Sequence, residues 1–267
     1  MKTVFFTQIK KSARDLGLLP GHTDYTRFII LGRSRSGSNL LRSLLAAHSQ
    51  VIVFEEMFKD PNKINWGLEG YPEGGYAFRR FQDDVVGFLK KDVFRVMPPE
   101  IKAVGFKIFY YHAFGTSLEA VWDYLKSHRE VHVLHIKRRN ILKTHLSRKR
   151  AMLTDQWINL SGEAVEQPVV ALDYQECRLD FEQTRAWEES HDLFFNDHPL
   201  LEVVYEDLAR SPGEVMAGVQ GFLGLDAEPV QPQTHQQSRQ KLSEAIANYA
   251  ELKERFKGSP WEAFFRE

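Results

Sequence analysis

Residues 28–45 read FIILGRSRSGSNLLRSLL, and this stretch decides the fold. Arg27 to Leu31 is a short apolar run stopped by Gly32, the pattern of a buried strand. Leu40, Leu41, Leu44 and Leu45 recur at helical spacing, so an amphipathic helix with one buried face follows. Between them stands Gly32-Arg33-Ser34-Arg35-Ser36-Gly37-Ser38-Asn39. Glycines let a backbone bend tightly around an anion. The first free amides of a helix and its dipole favour negative charge at the same point. A strand running through such a turn into a helix predicts a phosphate cradle.

The rest of the chain extends the same alternation. VIVF (51–54), AVGFKIF (103–109), VHVLHIK (131–137) and LEVVY (201–205) read as strands. SLEAVWDYLKSH (117–128), RNILKTHLSRKRA (139–151) and residues 172–198 read as helices, and the glycine- and aromatic-rich stretch 57–81 as a long loop. Strand–helix alternation argues for an α/β fold, a parallel sheet flanked by helices on both faces. No composition shift marks a boundary, so residues 1–267 are expected to form a single domain.

Composition narrows the class. The formal net charge is −1, so an anion site must be local rather than a property of the whole surface. The lone cysteine, Cys177, excludes an internal disulfide framework and a cysteine-based zinc cluster. The start lacks the apolar core of a signal peptide, and no apolar run approaches the ~20 residues of a membrane helix. A cytoplasmic protein without a membrane span is expected.

The glycine turn meets the spacing GxxxxGK[ST] at Gly32 and Gly37, but Ser38 stands at the lysine position and Asn39 at the magnesium-binding hydroxyl. The turn looks built for an anion handled without metal. A second basic segment, Lys137 to Arg150, holds seven lysines and arginines and no acid. It again follows a strand and opens a helix, although charge runs of this kind also occur as solvated helix faces. Two other readings stay open. One is a magnesium-dependent kinase or NTPase with a degenerate loop. The other is a nucleic-acid- or anion-binding protein using residues 137–150, against which stand the neutral overall charge and the lack of a nucleic-acid motif.

The two segments together resemble the sulfotransferases that use 3′-phosphoadenosine-5′-phosphosulfate (PAPS). The 5′-phosphosulfate loop of that family corresponds to Arg35-Ser36-Gly37-Ser38-Asn39, and its 3′-phosphate motif to Arg139-Asn140 and Ser147. The segments GFKIFYYH and VVYEDLARSP are also similar, so the likeness runs over about residues 27–265. It implies a P-loop NTPase-like three-layer sandwich and sulfuryl transfer from PAPS to a hydroxyl of a carbohydrate or other small polar acceptor, with no obligatory metal.

Roles follow from the resemblance and the chemistry. In-line transfer depends on positioning and on stabilising charge on the leaving oxygen. Arg35 is the candidate for that charge. Arg33, Ser36, Gly37, Ser38 and Asn39 are expected to bind the 5′ end of the donor, and Arg139 and Ser147 its 3′-phosphate. Glu56, at a strand end, is the expected general base. Alternation along a strand would turn only one of Glu55 and Glu56 to the site. His112 is the alternative base, and Lys107 is a residue that could reach the sulfonate or face solvent. Gln236 to Arg239 falls where the family covers the 3′-phosphate. Trp66, Tyr71, Tyr76, Phe78 and Phe81 could form an acceptor surface or simply pack.

Overall fold

The computed structural model describes residues 2–71, 73–155, 167–232 and 240–266. Gln236 to Arg239 therefore lies outside the described residues. An opening helix α1 (Lys2–Asp15) precedes β1 (Thr26–Gly32), α2 (Ser38–Ala46) and β2 (Val51–Phe54). Helices α3 (Gly75–Asp83) and α4 (Val85–Phe88) and a π-helical turn lead to β3 (Ala103–Phe109). Then come α5 (Ala120–Ser127), β4 (His132–Lys137), α6 (Ile141–Thr154), α7 (Tyr174–Phe194) and β5 (Leu200–Val204). The described chain ends with α8 (Tyr205–Arg210), α9 (Pro212–Phe222), α10 (Leu242–Ala245), α11 (Tyr249–Arg255) and a short 3₁₀ turn.

The five strands are parallel, in the order β2-β3-β1-β4-β5. The connection leaving β1 returns on the β3 side, and the one leaving β3 crosses to β4. Ligands bind at the carboxyl ends of strands at such a switch point. Alternation along β1 divides the core. Ile29 and Leu31 pack with Phe54, Phe106 and Ile108 on one face, while Phe28 and Ile30 pack with Leu41, Leu44 and Val219 on the other. Each such side chain stabilises the fold by about 1.5–3 kcal/mol relative to exposure. A third cluster sets Ile141, Leu142 and Leu146 of α6 against Phe181 of α7 and Phe256, which fixes the basic helix to the frame. No described helix is long and apolar enough to cross a membrane.

One local expectation changes. The stretch 57–81 is not all loop, because α3 begins at Gly75. Trp66 and Phe81 are core residues, in ring contact with Phe88 and Phe58, whereas Tyr76 is exposed. In β4, Val133 to Ile136 are all buried, because this strand lies between two others with helices on both sides.

Candidate active site

A cleft of about 1380 Å³ opens where β1, β3 and β4 end. Among the described residues, nine lysines and arginines and two glutamates border it, a strongly positive lining in a chain of net charge −1. At its floor, Gly37 takes φ 99° and caps α2 without a side-chain hydrogen bond, so the first amides of that helix stay open. A Cβ on Gly37 would lie 2.2 Å from the Tyr205 ring, so position 37 excludes every other residue. Ser38 opens α2, buried at the cleft wall. The Ser36 hydroxyl donates to the Arg33 carbonyl at 2.8 Å and staples the turn.

Arg35 holds the left-handed conformation, φ 69°. For a non-glycine residue that costs on the order of 1–3 kcal/mol, and such strain collects at functional sites. The Arg35 carbonyl accepts from Arg138 at 3.1 Å, and its Nε donates to Ser147 Oγ at 2.8 Å. That bond joins the glycine turn to α6. Burial and the neighbouring Arg138 pull the Arg35 guanidinium down to about 10. It remains a cation at neutral pH, in surroundings that favour an anion beside it.

Opposite the turn lies a compact ion cluster. Lys107 is 1% exposed and reaches Glu55 Oε2 at 2.7 Å and Glu56 Oε1 at 3.1 Å, and it also donates to the Asn39 side-chain oxygen. Arg42 pairs with Glu55 from the other side. Burial pushes the Glu55 carboxyl up, but Lys107 and Arg42 outweigh it and hold it below the usual range. Both glutamates enter the cleft, contrary to the alternation argument. β2 ends at Phe54, and beyond it the chain turns. Gly67, at φ 63°, leaves room for Glu55, whose Cγ would lie 2.1 Å from a Cβ there.

His112 Nδ1 accepts from the Phe109 amide at 3.2 Å, so the ring proton sits on Nε2, 4.0 Å from Glu56 Oε2. Burial, then Lys59 and Lys107, lower its pKa to about 3, so the ring is neutral at working pH. The Phe109 amide occupies the Nδ1 acceptor, and Nε2 faces Glu56 from beyond hydrogen-bond distance. The shift also sets a stability trend. Below pH about 6.5 the unfolded chain binds a proton at His112 that the folded chain refuses until about 3, so stability falls as pH drops through this window. Burial does the same at His135, lowered to about 4. His112→Gln is expected to remove a few kcal/mol of this acid-induced loss. Urea titrations at neutral and mildly acidic pH measure it, and an unchanged pH dependence would contradict the assignment.

The remaining expected residues divide. Ser147 and Asn39 border the cleft. Arg33 borders it too, but its guanidinium is committed to Asp180 and Thr184. Arg139 does not line the cleft. Its side chain is 58% exposed and pairs with Asp207, while its amide donates to Glu206 at 3.0 Å. Arg138 turns inward instead, over the Tyr205 ring at 4.5 Å. Nothing in the sequence distinguishes these neighbouring arginines, because the choice is made by the acids at the start of α8. Lys107 did carry a signal, as a lone charge inside a strand otherwise apolar on both faces. The basic segment is not a solvated face. Lys137 lies between Asp192 and Glu202, Arg148 pairs with Asp180, and Arg150 donates to Pro168 and Gln240.

A strand–glycine–helix turn facing a basic helix across one positively charged cleft defines the class, and a model of the sulfotransferase family matches residues 27–229. The chain belongs to that family, the PAPS-dependent sulfotransferases. Nodulation protein H of Rhizobium tropici is 27% identical over 246 residues, covering 89% of this chain and 92% of that protein. The same-named protein of Rhizobium meliloti (strain 1021) is 26% identical over 246 residues, covering 89% and 94%. Among solved structures, a sulfotransferase from Alicyclobacillus acidocaldarius aligns with a TM-score of 0.47 at 16% identity, over 90% of this chain and 99% of that one.

Proposed function

We propose that this enzyme moves the sulfuryl group of PAPS onto a hydroxyl of a carbohydrate or other small polar acceptor, without a metal and with Glu56 as general base. The observation that carries the reading is the Arg35–Ser147 hydrogen bond. It sets two anion-binding elements side by side, as a donor charged at both ends needs. The residues fit that donor. The Gly37 turn offers open amides, and Arg35, Arg138 and Ser147 stand around them.

PAPS supplies a sulfuryl group already bonded to a good leaving phosphate. The protein then has to hold the acceptor, take its proton and balance charge. Glu56 receives the hydroxyl proton as the new oxygen–sulfur bond forms and the bond to the 5′-phosphate breaks. Arg35 and the amides of Ser38 and Asn39 face the charge left on that phosphate. Lys107, between Glu56 and the turn, is placed to meet the transferring oxygens. The acceptor shares this cleft, which Lys59 and Asn65 also border.

Two features argue against the other readings. The Asn39 oxygen, at the position where a kinase has its magnesium ligand, accepts from the Lys107 ammonium, which repels a dication. The basic segment 137–150 has its charges answered by nearby acids rather than presented to a polyanion. A thermal shift with 3′-phosphoadenosine-5′-phosphate (PAP), against AMP, ADP and ATP with and without magnesium, tests the reading. At ~100 times its dissociation constant, PAP is expected to add about 2.7 kcal/mol without metal. Stabilisation only by ATP or ADP with magnesium would refute it.

A further inference from the structure

One carboxylate lies outside the cleft yet holds both of its anion-binding elements. Asp180, on α7, accepts through Oδ1 from Arg33 Nη2 at 3.0 Å and from Arg148 Nη2 at 2.6 Å. Its Oδ2 lies 3.1 Å from His145 Nδ1. Arg33 belongs to the glycine turn, and Arg148 and His145 flank Ser147 on α6. Helix α7 grips Arg33 twice more, through the Thr184 hydroxyl and the Trp187 ring 5.7 Å away. Residues 180, 184 and 187 recur at the spacing of one helix face. None of the three borders the cleft.

The charges here are uneven. One carboxylate faces two guanidiniums and an imidazole. Among the described residues, Arg33 Nε, Arg148 Nη1 and His145 Nε2 are buried without a hydrogen-bond partner. A buried donor without a partner is costly. A core built for stability alone has little reason to gather two such guanidinium donors beside a cleft that already carries excess positive charge.

We infer that Asp180 is a positioning residue for donor binding. It fixes the glycine turn against the Ser147 end of α6, so that both anionic ends of one donor are received together. The inference rests on the donor reading above, because it needs a ligand spanning both elements.

Asp180→Asn separates positioning from simple charge. Removing the carboxylate makes the region more positive, which by electrostatics alone strengthens anion binding. Loss of positioning weakens it. The affinities of wild type and variant for PAP and for AMP, which lacks the 3′-phosphate, are measured by calorimetry, with steady-state kinetics on PAPS alongside. PAP affinity is expected to fall about ten-fold or more, within the usual range of coupling between sites. AMP affinity should fall much less, and KM for PAPS should rise with kcat held within a few-fold. Unchanged or tighter PAP binding, or equal losses for PAP and AMP, overturns the inference. Should the variant not fold, Thr184→Val loosens Arg33 while leaving Asp180 in place. A smaller loss of PAP over AMP supports the inference, and an unchanged ratio overturns it. A wild-type protein that ignores PAP refutes the donor reading itself. Normal wild-type binding with an insensitive variant refutes only the role of Asp180.

Discussion

Lys107→Met lowers turnover by about 10²–10³-fold, the size of effect seen when one preorganised charge is removed from a transition state. The methionine keeps length and apolar bulk, so the variant still folds. Its stability falls, because Glu55 and Glu56 lose their shared ammonium; breaking a buried pair costs on the order of 3 kcal/mol or more. Glu55 keeps Arg42, whereas Glu56 has no second cation among its described ion pairs. Stopped assays measure the rate and urea titrations the stability. A loss of turnover below ten-fold would remove Lys107 from the mechanism.

Glu56→Gln is the second large effect. An amide of the same shape still accepts from Lys107 but cannot take a proton. General-base loss lowers turnover by about 10²–10⁴-fold, while PAP binding stays near wild type. Two companions make the assignment specific. Glu55→Gln should disturb stability more than turnover, because Glu55 is tied to Arg42 and Lys107. Glu55 is held below its ordinary pKa, so its contribution is present above the unfolded value and is lost as pH falls from there through the lowered folded value. His112→Gln should cost less than ten-fold in rate, since its acceptor nitrogen is already occupied. Equal collapse of turnover in all three variants would deny Glu56 its separate role.

The sheet was legible because its signals are local. Five apolar runs each end at a turn or helix start, and the glycine spacing marked which strand end mattered. The cleft was only partly legible, because its geometry depends on contacts distant in sequence. Asp180 meets Arg33 across 147 residues, and no local pattern announces that pairing. Strand alternation does not govern Glu55 and Glu56, because β2 stops one residue earlier, at Phe54. The Arg138–Arg139 choice depends on Glu206 and Asp207, on an element that follows the last strand.

The shared ammonium of Lys107 also bears on retargeting the enzyme to new acceptors. Glu55 and Glu56 follow β2, and through Lys107 they are tied to Asn39 beside the glycine turn. These two parts of the cleft are therefore not separate modules. On the proposed function, a mutant library that varies residues 55 and 56 changes donor handling along with acceptor choice. Asn65 borders the same cleft outside this ion cluster, whereas Lys59 acts on His112 beside Glu56. Directed evolution of acceptor preference belongs first at Asn65, where substrate choice can drift while the sulfur chemistry stays intact.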